Sequence, residues 1–366
     1  MSGSFGAGPT VSGMFTQSHT QRAASRRILV HLAAPVALAL VSLFGFSELV
    51  PGREDTAQAA ETSYRWPVKP FDRAHPVRAN FGDPRTTFDG PPTMKGLMTS
   101  GGIFAFHFGI DISVPDGTPV YPVRSGVASL KGGRTVRVDS GNGFAAEYWH
   151  IVPAVTPGQE VVAYETVLGH VMKDYGHVHF SEFQNGRAVN PLAPGHLAPY
   201  EDNTQPRVTS VAFRSDRGGE LLPEFVHGRV VLIAGSYDLP ALQALAEWAG
   251  LPVAPARVTW RIVRARDGRT VVTERTAFDV RSTIPDNRVF WSYYARGSRQ
   301  NMSTFAKQRA WRQPGVYLYE LTPRPFDTRR LANGIYDLVV TATDIRGNSG
   351  SGKHSFIVHN RGGAGS

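Results

Sequence analysis

Apolar residues in this chain come in short runs, and beyond the first 47 positions a proline, a glycine or a polar pair soon interrupts each one. With 26 prolines and 38 glycines spread along 366 residues, long helices are disfavoured and strands joined by turns are favoured. Where a run can be followed residue by residue, its period is two. Val258, Trp260 and Ile262 alternate with Thr259 and Arg261, and Tyr336, Leu338, Val340 and Ala342 alternate with Asp337, Val339 and Thr341. That pattern marks half-buried strands, so the expectation is a mainly β protein. The exception is PALQALAEWA at 240–249, which reads as a short helix.

The length suits two domains with terminal extras. Residues 28–47 carry no Asp, Glu, Lys or Arg and match the span of a bilayer. Arg22, Arg26 and Arg27 precede them, with no acidic residue before. The positive-inside rule then makes 1–27 a basic cytoplasmic N-terminus and sends everything after Glu48 outside. This N-terminal helix is a retained transmembrane anchor or the h-region of a signal peptide, with a small-x-small cleavage pattern at Ala57-Gln58-Ala59. Residues 48–65 read as a linker. A compact antiparallel β domain is expected over 66–195, then a polar break, then seven or eight strands over 207–360 that suit an immunoglobulin-like β-sandwich.

The net charge of +9 favours anionic surroundings such as envelope polymers or a membrane surface. The basic residues show no interleaving with aromatics that would mark a nucleic-acid face. Cysteine is absent, which excludes disulfides, thiolate metal sites and a cysteine nucleophile, so any metal must be held by His, Asp or Glu. Neither HExxH nor GxSxG occurs. GNSGSGKH at 347–354 imitates a phosphate-binding loop, but His354 stands where magnesium needs Ser or Thr, and a strand-like run follows.

The residues with chemistry sit in the first domain. In HFGID, Phe108, Ile110 and Ile112 fall on alternate positions, so a strand sends His107, Gly109 and Asp111 to the opposite face. In HVHF, Val178 and Phe180 mark a core face and His177 and His179 point away from it. His150, in EYWHI, is a further candidate. Two imidazoles and a carboxylate are acceptable ligands for a catalytic zinc that keeps one position open. A lone histidine is usually an ordinary surface or core residue, and His75, His170, His196, His227, His354 and His359 are read so.

From about Phe81 to Leu192 the sequence resembles the lysostaphin-type, LytM-like zinc metallopeptidases that cleave peptidoglycan. The motifs are FGDPR at 81–85, HFGIDISVPDGTPVYPVRSGVAS at 107–129, GNGFAAEYWHI at 141–151, PGQEV at 157–161, LGHV at 168–171, HVHF at 177–180 and NPL at 190–192. The resemblance implies one Zn2+ held by His107, Asp111 and His179, with His150 and His177 as non-ligand catalytic histidines. It departs from the pattern in the short stretch before His177 and in Ser181-Glu182, where the family commonly has Glu at once. The implied activity is metal-assisted amide hydrolysis of a peptidoglycan peptide, with His177 taking a proton from water and His150 donating to the oxyanion. Tyr148 and Arg85 are weaker candidates for holding substrate. The alternative expectation is a non-catalytic envelope scaffold that binds peptidoglycan or activates a partner hydrolase.

Overall fold

The computed structural model describes residues 63–87, 103–303 and 312–360. The expected membrane or signal segment, 28–47, lies outside the described residues. Among the described residues, no helix is long and apolar enough to cross a membrane. All the described residues fall in one compact unit. Among the described residues it is built almost wholly of antiparallel strands, with helix confined to short 3-10 turns such as Asn287–Ser292.

The first half centres on an eight-stranded sheet. Its path runs Val77–Ala79, Ile110–Ser113, His177–Gln184, Phe144–Trp149, Thr135–Asp139, Gly126–Lys131 and Glu160–Val161, with Arg187–Val189 pairing back onto His177–Gln184. The period-two residues Ile110, Ile112, Val178 and Phe180 are fully buried in its core. The tract read as linker ends earlier than residue 65, because Tyr64 already bridges to Leu197 and its hydroxyl donates to buried Glu182.

The second half carries a five-stranded sheet around Arg207–Ser215 and Arg229–Tyr237, and a four-stranded sheet of Thr270–Asp279, Arg257–Arg264, Gly334–Thr343 and Ser349–Val358. Strands outnumber the seven or eight expected because short pieces such as Glu220–Leu221 and Phe326–Asp327 add to the first sheet. Rings of the two sheets meet, Phe213 on Phe356 at 5.1 Å and Phe278 on Tyr319 at 5.1 Å.

The helix expected at 240–249 does not form; the segment is a succession of bends and turns. Short helices are marginal without tertiary support, and here tertiary contacts favour another shape. The Leu245 N–H donates to Ser113 Oγ at 3.1 Å, and Trp248 lies over the guanidinium of Arg78, 3.9 Å from its ring centroid. Ala244, Trp248 and Leu251 form a small apolar cluster separate from the main core. The backbones of Asp238 and Val253 exchange two hydrogen bonds that close the base of the segment.

The two halves are fastened around the turn that carries FGDPR. Asn80 Nδ2 donates to the Ala254 carbonyl at 3.0 Å, the Ala254 N–H donates to Asp83 Oδ1 at 2.8 Å, and Tyr294 Oη donates to the Gly82 carbonyl at 2.8 Å. Gly82 sits at φ +86, and a Cβ there would strike Val280 Cγ2 at 2.8 Å. Only glycine meets both conditions without strain.

Candidate metal centre

Register explains how residues distant in sequence converge. Asp111 lies opposite His179 on the neighbouring strand and opposite Ala79 on the other side. His107 precedes its strand, and a close approach at Gly109 brings it in. A Cβ on Gly109 would lie 2.3 Å from the Phe180 carbonyl oxygen, 2.5 Å from Ser181 Oγ and 2.9 Å from His179 Nε2. Phe108 is not part of the core face expected of it. The strand begins only at Ile110, and Phe108 packs its ring 4.8 Å from that of His179.

His107 Nε2, His179 Nδ1 and Asp111 Oδ1 converge at 2.7 Å between the nitrogens and 3.1 Å from each nitrogen to the oxygen. All three residues are buried. The opposite ring atoms are engaged: His107 Nδ1 donates to the Asn80 carbonyl at 2.8 Å, and His179 Nε2 meets Ser181 Oγ at 2.7 Å. Such outer partners fix the tautomer that leaves the converging nitrogens with their lone pairs. Ser181, one of the departures from the family pattern, therefore orients a ring of the cluster. Glu182 points to the other side of its strand, accepting from Tyr64, Gln184 and His196.

A four-coordinate zinc with bonds of about 2.0–2.1 Å separates its ligand atoms by roughly 3.3 Å. The observed 2.7–3.1 Å needs only a slight spreading, so the donor set fits that ion in chemistry and in geometry. Burial, with Arg85 adding to it, lowers His107 to about 3, so the ring is neutral as a ligand must be. Burial alone would raise Asp111, but Arg78 above all, with His107, Arg85 and His177, holds its carboxyl well below the ordinary range.

His177 shares the strand and the face of His179. Its Nδ1 donates to the Tyr175 carbonyl at 2.6 Å, and its Nε2 accepts from Arg78 at 2.9 Å. Burial first, then Arg78, lowers its pKa well below 6.5. Asp116 shapes the approach to it by accepting from the N–H groups of Asp174 and Gly176. His150 adopts φ 64 at the end of Phe144–Trp149, stacks on Tyr175 at 4.6 Å and lies 4.9 Å from the His177 ring. Burial lowers it to about 4.

Of the two substrate-holding candidates, Tyr148 is fully buried, and its hydroxyl accepts from the Val123 N–H at 2.8 Å. It is a core residue, because the strand alternation turns it inward. Arg85 is at the centre, with NH2 2.8 Å from Asp111 Oδ2. Sequence reading missed Arg78, whose NH2 is also 2.8 Å from Asp111 Oδ2. Its signal was the alternation of Val77 and Ala79, both buried, which turns the residue between them to the other face. His170 is exposed on Gly169–Val171, away from the cluster.

A second group of carboxylates, Asp202, Asp238 and Asp344, lies in the other half. Asn348 Nδ2 joins it by donating to Asp344 Oδ2 and to the Asp202 carbonyl. Burial raises Asp238 to about 8, so the group reads as a hydrogen-bonded carboxyl cluster.

The chain is similar to several solved structures. These include the SpoIIQ–SpoIIIAH pore forming complex (22% identity, 36% of this chain and 89% of that one, TM-score 0.26) and pseudoalterin, an M23 metalloprotease from the deep sea (19%, 40% and 80%, TM-score 0.25). A third is a zinc containing peptidase from Vibrio cholerae (21%, 38% and 40%, TM-score 0.27). Overlaps of this extent carry no part of the assignment, which rests on a family model matched over residues 105–191, less than half of the chain. That stretch contains His107, Asp111, His150, His177 and His179 in order, and the domain built on it belongs to peptidase family M23.

Proposed function

We propose that the chain is a zinc-dependent endopeptidase hydrolysing peptide bonds of peptidoglycan. It would act on the outer side of a membrane, anchored through residues 28–47 or released after signal cleavage. The observation that carries this reading is the convergence of His107 Nε2, His179 Nδ1 and Asp111 Oδ1 within 3.1 Å of one another. A zinc ion held there supplies Lewis acidity to the scissile carbonyl and to a water.

The remaining work falls to the chain's own groups. Neutral His177, with Nδ1 fixed on Tyr175, offers Nε2 as the proton acceptor. In this arrangement Arg78 donates to that nitrogen, so proton uptake requires the guanidinium to turn aside. Neutral His150, braced by Tyr175, would donate a hydrogen bond to the developing oxyanion, and His177, protonated once it has taken the water's proton, would pass that proton to the leaving amine. Residues 207–360 are read as an immunoglobulin-like accessory module, whose role is to hold the FGDPR turn.

The test is zinc content of the purified chain together with release of amino groups from purified peptidoglycan, for the wild type and for His179→Ala. Bound zinc with release lost in the variant supports the enzyme. Neither zinc nor release in the wild type leaves the scaffold alternative.

A further inference from the structure

Asp111 turns one oxygen to the two imidazole nitrogens and the other, Oδ2, to two guanidiniums. Arg78 and Arg85 each commit one terminal nitrogen to it, although a guanidinium has five N–H donors in a rigid fork. Arg78 Nε is buried without a hydrogen-bond partner. The side chains of Arg78 and Arg85 remain 11% and 25% exposed, so both keep an edge toward solvent. Trp248 covers the face of Arg78 and holds it in place.

The charges beside the cluster do not balance. Two guanidiniums share the single carboxylate of Asp111, whose other oxygen already faces both imidazoles. A divalent ion on Asp111 widens the surplus. Cationic charge out of water is costly unless it is paired, and the partner that matches a guanidinium fork in shape and charge is a carboxylate.

We propose that Arg78 and Arg85 form a carboxylate-recognition pair beside the metal centre. The preferred substrate is then a peptide with a free carboxylate on a residue adjoining the bond that is cut. This rests on the hydrolase reading and narrows its substrate class. The pair also couples recognition to chemistry. A carboxylate that draws Arg78 off His177 Nε2 leaves that lone pair available for a proton.

Calorimetric titration of the zinc-loaded full chain tests this with matched acid and neutral probes. N-acetyl-diglycine against its amide reads a terminal carboxylate. An N-acetyl-glycyl-glutamate amide against its glutamine counterpart reads a side-chain one. In at least one pair the acid should bind about 10-fold or more tightly, the scale of one or two charged hydrogen bonds. In Arg85→Gln and Arg78→Gln the preference should fall to about twofold or less, with part of it kept in Arg85→Lys, while zinc content is followed in each. Equal binding of acid and neutral probes by the wild-type chain overturns the proposal, and this comparison decides even where a variant loses its metal. Persistence of the preference in both glutamine variants overturns it too. Hydrolysis of wall peptides without an acid preference would sink the pair and leave the enzyme standing. An arginine-dependent preference without hydrolysis would do the reverse.

Discussion

Replacing Gly109 with alanine tests whether the metal centre depends on one close approach of two strands. The added Cβ would lie 2.3 Å from the Phe180 carbonyl oxygen and 2.9 Å from His179 Nε2, more than about 1 Å inside ordinary contact for the first. Strand Ile110–Ser113 must move away from His177–Gln184, or the His179 ring must turn off Ser181 Oγ. Overpacking of this kind costs about 1–3 kcal/mol, and at about 2–4 °C per kcal/mol in a unit of this size the Tm should drop by several degrees. Loss of the Ser181 contact should also lower zinc affinity by about 10- to 100-fold. The control is Gly126→Ala, where a Cβ meets the Asp139 carbonyl oxygen at 2.2 Å on a strand well removed from the centre. Thermal unfolding and competition with a chromogenic chelator measure both quantities. Comparable Tm losses with zinc affinity reduced only in Gly109→Ala are expected. Wild-type zinc affinity in Gly109→Ala, or an equal loss in Gly126→Ala, would refute the reasoning.

Three further outcomes follow from the same structure. His150→Ala and His177→Ala should each keep zinc while hydrolysis falls by about 100-fold or more, and loss of zinc from His177→Ala would make that residue a ligand. Asp238, raised to about 8 against an ordinary value of 3.8, binds its proton more firmly folded than unfolded. The stability it contributes is complete below about 4 and lost as pH rises through about 8. Between pH 6 and 9 the wild-type Tm should therefore fall more than that of Asp238→Asn, and parallel curves would discount the shift. Deleting residues 207–366 should leave a first half that binds little zinc, because Ala254 and Tyr294 no longer hold Asn80, Asp83 and Gly82. A truncated chain with full zinc content would show that half to be independent.

Much of this architecture was legible because strands report themselves at short range. His177 and His179 could be placed on one face from Val178 and Phe180 alone, and the structure has them so. Phe108 was misplaced because the alternation was extended one turn of chain too early. Nothing local reveals that Gly109 lets the backbone drop against Phe180 and Ser181. The 240–249 segment has helical composition, but its shape is decided by Arg78 and Ser113, more than 130 positions earlier. Arg78 carried only the alternation of its neighbours as a clue, and its electrostatic place beside Asp111 exists only once the strands are paired. Tyr148 illustrates the opposite case, where a reactive side chain in a matched motif is spoken for by the core.

The fastening of the FGDPR turn has a consequence for the order of events during synthesis. Its anchors are 171, 174 and 212 positions downstream of the residues they hold. At about 5–20 residues per second, the strand bearing His177 and His179 emerges on the order of 4–20 s before those anchors exist. Pairings so distant in sequence are also slow to form. The nascent first half can thus assemble its sheet while the Arg85 turn stays unanchored, and the electrostatic surroundings of Asp111 are completed last.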